Sequence, residues 1–151
     1  MLRLPSLLLL LGLISLARAD TTRPAGDWDA VTVAPMKTSI YIGSVTLTAA
    51  EFRRDGDRFT TTYEAKVRPW FFWSETGRVS IIVPQADLER LARGERVEFT
   101  GEGTNHKNKP RRITGHAERT DGAAGKIKVR LSADGIELVF NGTYRFDNAV
   151  K

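Results

Sequence analysis

The residues best suited to chemistry form two short runs. In Pro69-Trp70-Phe71-Phe72-Trp73, four bulky aromatics follow a residue that restricts the backbone. In an extended chain Trp70 and Phe72 would face one way and Phe71 and Trp73 the other. Both pairs cannot enter the same one-sided core. Packing in the core and beneath a covering helix is the ordinary outcome. The alternative presents Trp70, Phe71, Phe72 and Trp73 to a ligand, sugar, lipid or partner, because exposed aromatic surface is costly unless used. These four are the candidate ligand-binding residues.

The second run, His106-Lys107-Asn108-Lys109-Pro110-Arg111-Arg112, holds four fixed positive charges in seven residues and no acid. Its place between two strand-like segments makes it a hairpin loop. His106, Lys107, Lys109, Arg111 and Arg112 are therefore candidates for an anion-binding patch, with a phosphate, an acidic polysaccharide, lipid headgroups or another anionic polymer as the fitting chemistry. A solvated loop is the ordinary alternative. Without interleaved stacking aromatics the run points to no specific nucleic acid.

Other chemistries lack their residues. His106 and His116 are the only histidines, and a loop and the strand leaving it would hold them roughly 15 to 20 Å apart at ~3.3 Å per residue. With no cysteine either, no metal site is expected. No serine sits in a Gly-x-Ser-x-Gly turn, and Gly101-Glu102-Gly103 runs on into Thr104-Asn105-His106 rather than into a helix start, so neither a hydrolase elbow nor a phosphate loop is present. Glu64, Glu98, Glu102 and Glu118 could supply a carboxylate pair, but each lies on the polar phase of its segment. A non-enzymatic protein without a cofactor is the expectation.

Period-two alternation dominates the segments that must position these runs. In Arg58 to Val67, Phe59, Thr61, Tyr63, Ala65 and Val67 share one face, while Arg58, Thr60, Thr62, Glu64 and Lys66 share the other. Ile127, Val129 and Leu131 alternate with Lys126, Lys128 and Arg130, and Ile136, Leu138, Phe140, Tyr144 and Phe146 continue the inward phase. Ser39 to Leu47, Arg78 to Val83, Arg96 to Gly101 and Arg111 to Arg119 are further strand candidates. Asp55-Gly56-Asp57, Asp121-Gly122 and Ala133-Asp134-Gly135 mark turns. Only Pro84 to Gly94 departs, with Pro at its start, Gly at its stop and Leu88, Leu91 and Ala92 at helical spacing. The expected fold is all-β: one antiparallel barrel or sandwich of about 7 to 9 strands, with one capping helix over about 85–93. In plan alone this resembles lipocalin-like and isoprenoid-binding periplasmic proteins, with no motif of either group carried over.

The 151-residue chain carries a formal charge of +5, which suits a single β domain over 28–147. Residues 1–19 read as a cleaved signal peptide: Arg3 near the start, an apolar run from Leu7 to Leu16, and Ala17-Arg18-Ala19 as the cleavage site. The apolar run is about ten residues, roughly half the ~20 needed to span a bilayer. Residues 20–27 read as a flexible leader and 148–151 as a tail. Loss of Arg3 and Arg18 leaves 21 basic and 18 acidic side chains, a net +3, so the signal carries two of the five net charges. The sequence therefore predicts an exported protein, periplasmic or secreted. Its expected role is a small barrel binding an apolar or amphipathic small molecule. The alternative is an envelope or surface interaction protein using Trp70 to Trp73 or the basic 106–112 loop.

Overall fold

The computed structural model describes residues 25–147; the expected signal peptide, most of the leader and the tail lie outside them. Ten strands and one helix follow in chain order. β1 spans Ala30–Val33, β2 Met36–Ile40, β3 Gly43–Ala49, β4 Phe52–Asp55, β5 Arg58–Arg68 and β6 Glu75–Ile82. After α1 (Gln85–Ala92) come β7 Val97–Asn105, β8 Pro110–Asp121, β9 Ala124–Ala133 and β10 Ile136–Asp147. All pairings are antiparallel, and the sheet closes because β5 pairs with β6 as well as with β3 and β4. β1 and β2 are two halves of one interrupted strand, as are β3 and β4. The result is a closed eight-stranded up-and-down barrel.

Closure follows from the alternation, since each strand turns one apolar file inward. Phe59, Tyr63, Ala65 and Val67 of β5 are buried together with Val97 and Phe99 of β7, Val129 and Leu131 of β9, and Phe140, Tyr144 and Phe146 of β10. Eight strands leave an interior just wide enough for such side chains. Gly115 shows how tight the fit is: a methyl group there would strike both the Phe99 ring and the backbone of Lys128.

Turn chemistry delivers the hairpins it predicts. Gly56, Gly122, Asp134 and Gly135 all adopt positive φ at the β4–β5, β8–β9 and β9–β10 connections. Pro84 precedes α1 and Gly94 follows it with φ near +89°, the left-handed stop that glycine permits. Leu88 and Leu91 enter the core from α1, which closes one end of the barrel. Trp28 stacks on Phe146 at 4.2 Å beside it.

Two expectations are corrected, and two strands carry no sequence signal. Ser39 to Leu47 is not one strand: it folds back at Tyr41 and Ile42, so that Ser39 pairs with Ser44. Its alternation reads the same through a tight turn as through a straight strand. β1 and β4, of four residues each, are too short to show a period. Trp70 to Trp73 is neither extended nor covered by the helix, because α1 sits between β6 and β7 at the opposite end of the barrel.

Candidate functional site

The end away from α1 gathers the β2–β3 hairpin, the β5–β6 connection, the β7–β8 loop and the β9–β10 turn. In the β5–β6 connection the chain passes through a cis Arg68–Pro69 bond into one turn of 3-10 helix, Phe71–Trp73. Trp73 and Ser74 donate their backbone N–H groups to the carbonyls of Trp70 and Phe71. Three residues per turn spread the rings around the turn instead of alternating them. Trp70 is half-buried against the core, whereas Phe71, Phe72 and Trp73 are 77%, 59% and 60% exposed. The four rings pack on one another at centroid distances of 5.3 to 6.0 Å. Burial, the ordinary expectation, is thus overturned for three of the four.

The basic loop is ordered by a residue that sequence reasoning passed over. Buried Asn105 accepts the N–H groups of Lys107 and Lys109 on its Oδ1, both at 2.9 Å, and Asn108 takes a positive φ at the tip. His106 is tied to β6 by its N–H to the Thr76 carbonyl. His106, Lys107 and Lys109 remain exposed. Arg112 lies on the outer wall of β8, opposite Glu102 of β7.

Arg111 leaves the expected anion-binding set. It points inward, 4% exposed, and donates from Nε and Nη2 to the two oxygens of Glu75 at 2.9 and 2.7 Å. Tyr63 donates its hydroxyl to Glu75 at 2.7 Å, Asn105 its amide at 2.9 Å, and Asp134 stands 3.4 Å from Arg111. Among the described residues no buried side-chain polar atom lacks a partner. Burial pushes the Glu75 carboxyl up, but hydrogen bonds from Arg111, Asn105 and Tyr63 and the Arg111 charge outweigh it and hold the group at about 2. Burial and the neighbouring Glu75 push the Tyr63 phenol well above its usual range. A fully ionised carboxylate saturated with donors is a poor general acid or base. The cluster ties β5, β6, β7 and β8 to the β9–β10 turn, and its chemistry is structural.

Alternation carried one step further would have found this cluster. Glu75 precedes Gly77 and Val79, Asn105 follows Gly101 and Gly103, and Arg111 precedes Ile113, each on the inward phase and at the same strand end. The acids weighed from sequence instead face out, Glu64 pairing with Lys66 at 3.0 Å and Glu118 with Arg96 at 3.8 Å. His116 also faces Arg96, far from His106, and among the described residues no three His, Asp or Glu side chains converge on a metal position.

Inside the barrel lies an almost wholly apolar cavity of about 120 Å³. Phe99, Ile113, Val129 and Leu131 form part of its wall, and Val33, Ala34, Met36, Leu47 and Ala49 line its side. Those last residues flank a gap in the barrel wall. Val31 pairs with Phe52 and Met36 with Leu47, but the strands between these pairs form no ladder with each other. Ala34 donates to Thr143 of β10 and Ala50 to Thr62 of β5, each strand holding to its outer neighbour. Pro35, lacking an N–H, cannot restore the missing bond. The interruption puts half-buried Val33 and Ala49 and exposed Ala34 where the cavity meets the surface. No known protein family, curated protein or solved structure matches this chain.

Proposed function

We propose that this barrel is an exported, non-enzymatic binding protein that takes an apolar group of a small amphipathic molecule through the gap between β1–β2 and β3–β4. The observation carrying this reading is the apolar cavity of about 120 Å³ beside that gap. An engineered apolar cavity of about 150 Å³ stays dry and binds benzene, so this one suits a group of roughly six carbons. Straight-chain alcohols provide the test. Each carbon should tighten binding about fourfold, from ~0.8 kcal/mol per buried methylene, until the chain reaches roughly six carbons and the gain stops. Isothermal titration across the series measures it, and affinities that rise with no plateau, or no binding at all, would refute interior binding.

Export rests on residues 1–19. Protein recovered from its host should begin at Asp20 and fractionate with the periplasm or the medium; recovery from the cytosol with Met1 in place would contradict it.

A second reading, an interaction protein working through the barrel end, is favoured by the exposure of Phe71, Phe72 and Trp73. Substituting Trp73→Ser should then weaken partner binding while leaving thermal stability nearly unchanged.

A further inference from the structure

The large exposed apolar side chains are unevenly placed. Of the seven on the described residues, Tyr41, Ile42, Phe71, Phe72, Trp73 and Ile136 all lie at the end opposite α1, and only Ile82 lies at the helix end. They come from three separate connections. The β2–β3 hairpin abuts the aromatic turn, since a side chain at Gly43 would collide with the Arg68 carbonyl and the Pro69 ring. His106 of the basic loop lines one surface groove together with Phe71, Lys66 and Arg68.

Charge at this end is sorted as well. The acids nearest the tips are paired within the fold: Glu75 and Asp134 with Arg111, Glu64 with Lys66, and Glu137 with Arg130. Arg68, Lys107 and Lys109 are exposed, and Asn105 holds the loop bearing the two lysines in a defined shape. The barrel wall is unsuited to lipid, with Thr60, Thr62 and Lys66 of β5 and Lys126 and Arg130 of β9 exposed on it. Apolar loop tips rich in Trp, Phe and Tyr, fringed by cations and set on a polar body, match the interface of an anionic membrane, where amphipathic rings rest at headgroup level and basic side chains meet lipid phosphates.

We propose that the protein docks end-on to the surface of an anionic lipid bilayer, with Tyr41, Ile42, Phe71, Phe72, Trp73 and Ile136 entering the interface and Arg68, Lys107 and Lys109 contacting headgroups. This rests on the interaction reading above and is independent of the interior cavity.

The test uses protein expressed from the full chain and purified after processing, sedimented with vesicles of equimolar phosphatidylglycerol and phosphatidylcholine or of phosphatidylcholine alone. Binding to the anionic vesicles should exceed binding to the neutral ones and should weaken with salt. The double substitution of Lys107→Gln and Lys109→Gln should weaken anionic binding about 25-fold, from about fivefold per cation. Phe71→Ser with Trp73→Ser should weaken it at least tenfold on both vesicle types. Ile82→Ser, at the helix end, should change nothing, and circular dichroism melts should show all variants folded. Wild-type protein left in the supernatant with anionic vesicles overturns the proposal, as does retention equal to wild type by both double variants. If vesicles are not bound and the wild type dimerises while Phe71→Ser with Trp73→Ser does not, the membrane proposal fails and the interaction reading stands. If the substitutions alter neither vesicle binding nor association, both fail.

Discussion

Arg111→Met should destabilise the fold by about 3 to 5 kcal/mol, the range observed when one partner of a buried ion pair is removed, and lower Tm on the order of 10 to 20 °C. The loss arises because Glu75 would remain as a buried carboxylate facing Tyr63 and Asn105 without its cation. Lys107→Gln and Lys109→Gln, four and two residues away, should each stay within about 0.5 kcal/mol of wild type, because an exposed loop charge has little to lose. Arg111→Met combined with Glu75→Leu should cost clearly less than the sum of the two single changes, since each single change strands the other's charge. Chemical denaturation of the wild type and these five variants measures all of this. Equal losses at Arg111 and Lys107 would mean that the pair does not hold the end of the barrel together.

The same carboxylate gives stability a pH dependence of known sign. A carboxyl that ordinarily titrates at 4.5 and is held at about 2 in the folded protein binds its proton more readily when unfolded. Its contribution is complete above about pH 4.5, declines as pH falls and is gone near pH 2. The amount is on the order of 3 kcal/mol, for a side chain 14% exposed. Glu75→Gln removes this component, so the stability difference between wild type and the variant should shrink as pH falls from 5 towards 2.

Phe99→Ala should cost a similar amount, about 3 to 5 kcal/mol, from lost burial and the void left behind. The ring lines the existing cavity and fits against Gly115, so the new space adjoins the old. Longer alcohols should then enter: the carbon number at which affinity stops rising should move up by several, and those ligands should raise the variant's Tm more than the wild type's, because a ligand that binds only the folded state stabilises it. An unchanged plateau would show that the barrel collapses around the deletion or that the alcohols bind elsewhere.

Strand identity was legible because a half-buried strand must repeat every two residues, and Arg58 to Val67 and Lys126 to Leu131 do so without exception. α1 was legible because Pro84, Gly94 and the Leu88 and Leu91 spacing are local signals, read within one or two turns. The Asp-Gly turns were legible for the same reason, positive φ being a property of Gly and Asp themselves, whereas the turn at Tyr41 and Ile42 carries no such signal. Apart from the short strands β1 and β4 and the turn at Tyr41 and Ile42, what remained hidden depends on residues far apart in sequence. Closure needs β5 to pair with β6 on one side and β3 and β4 on the other, and no local period encodes which edges meet. Arg111 reads as one cation in a basic run until β6 and β8 set Glu75 within 2.7 Å of it. Trp70 to Trp73 reads first as core; only the placing of α1 at the far end of the barrel leaves Phe71, Phe72 and Trp73 uncovered. The sequence by itself determined the long strands, the helix and the glycine-marked turns, because backbone dihedrals and the two-residue repeat are set by neighbours. Tertiary structure alone decided which charges are neutralised and which rings are exposed, because burial and Coulomb energy depend on distance in space, whatever the separation along the chain.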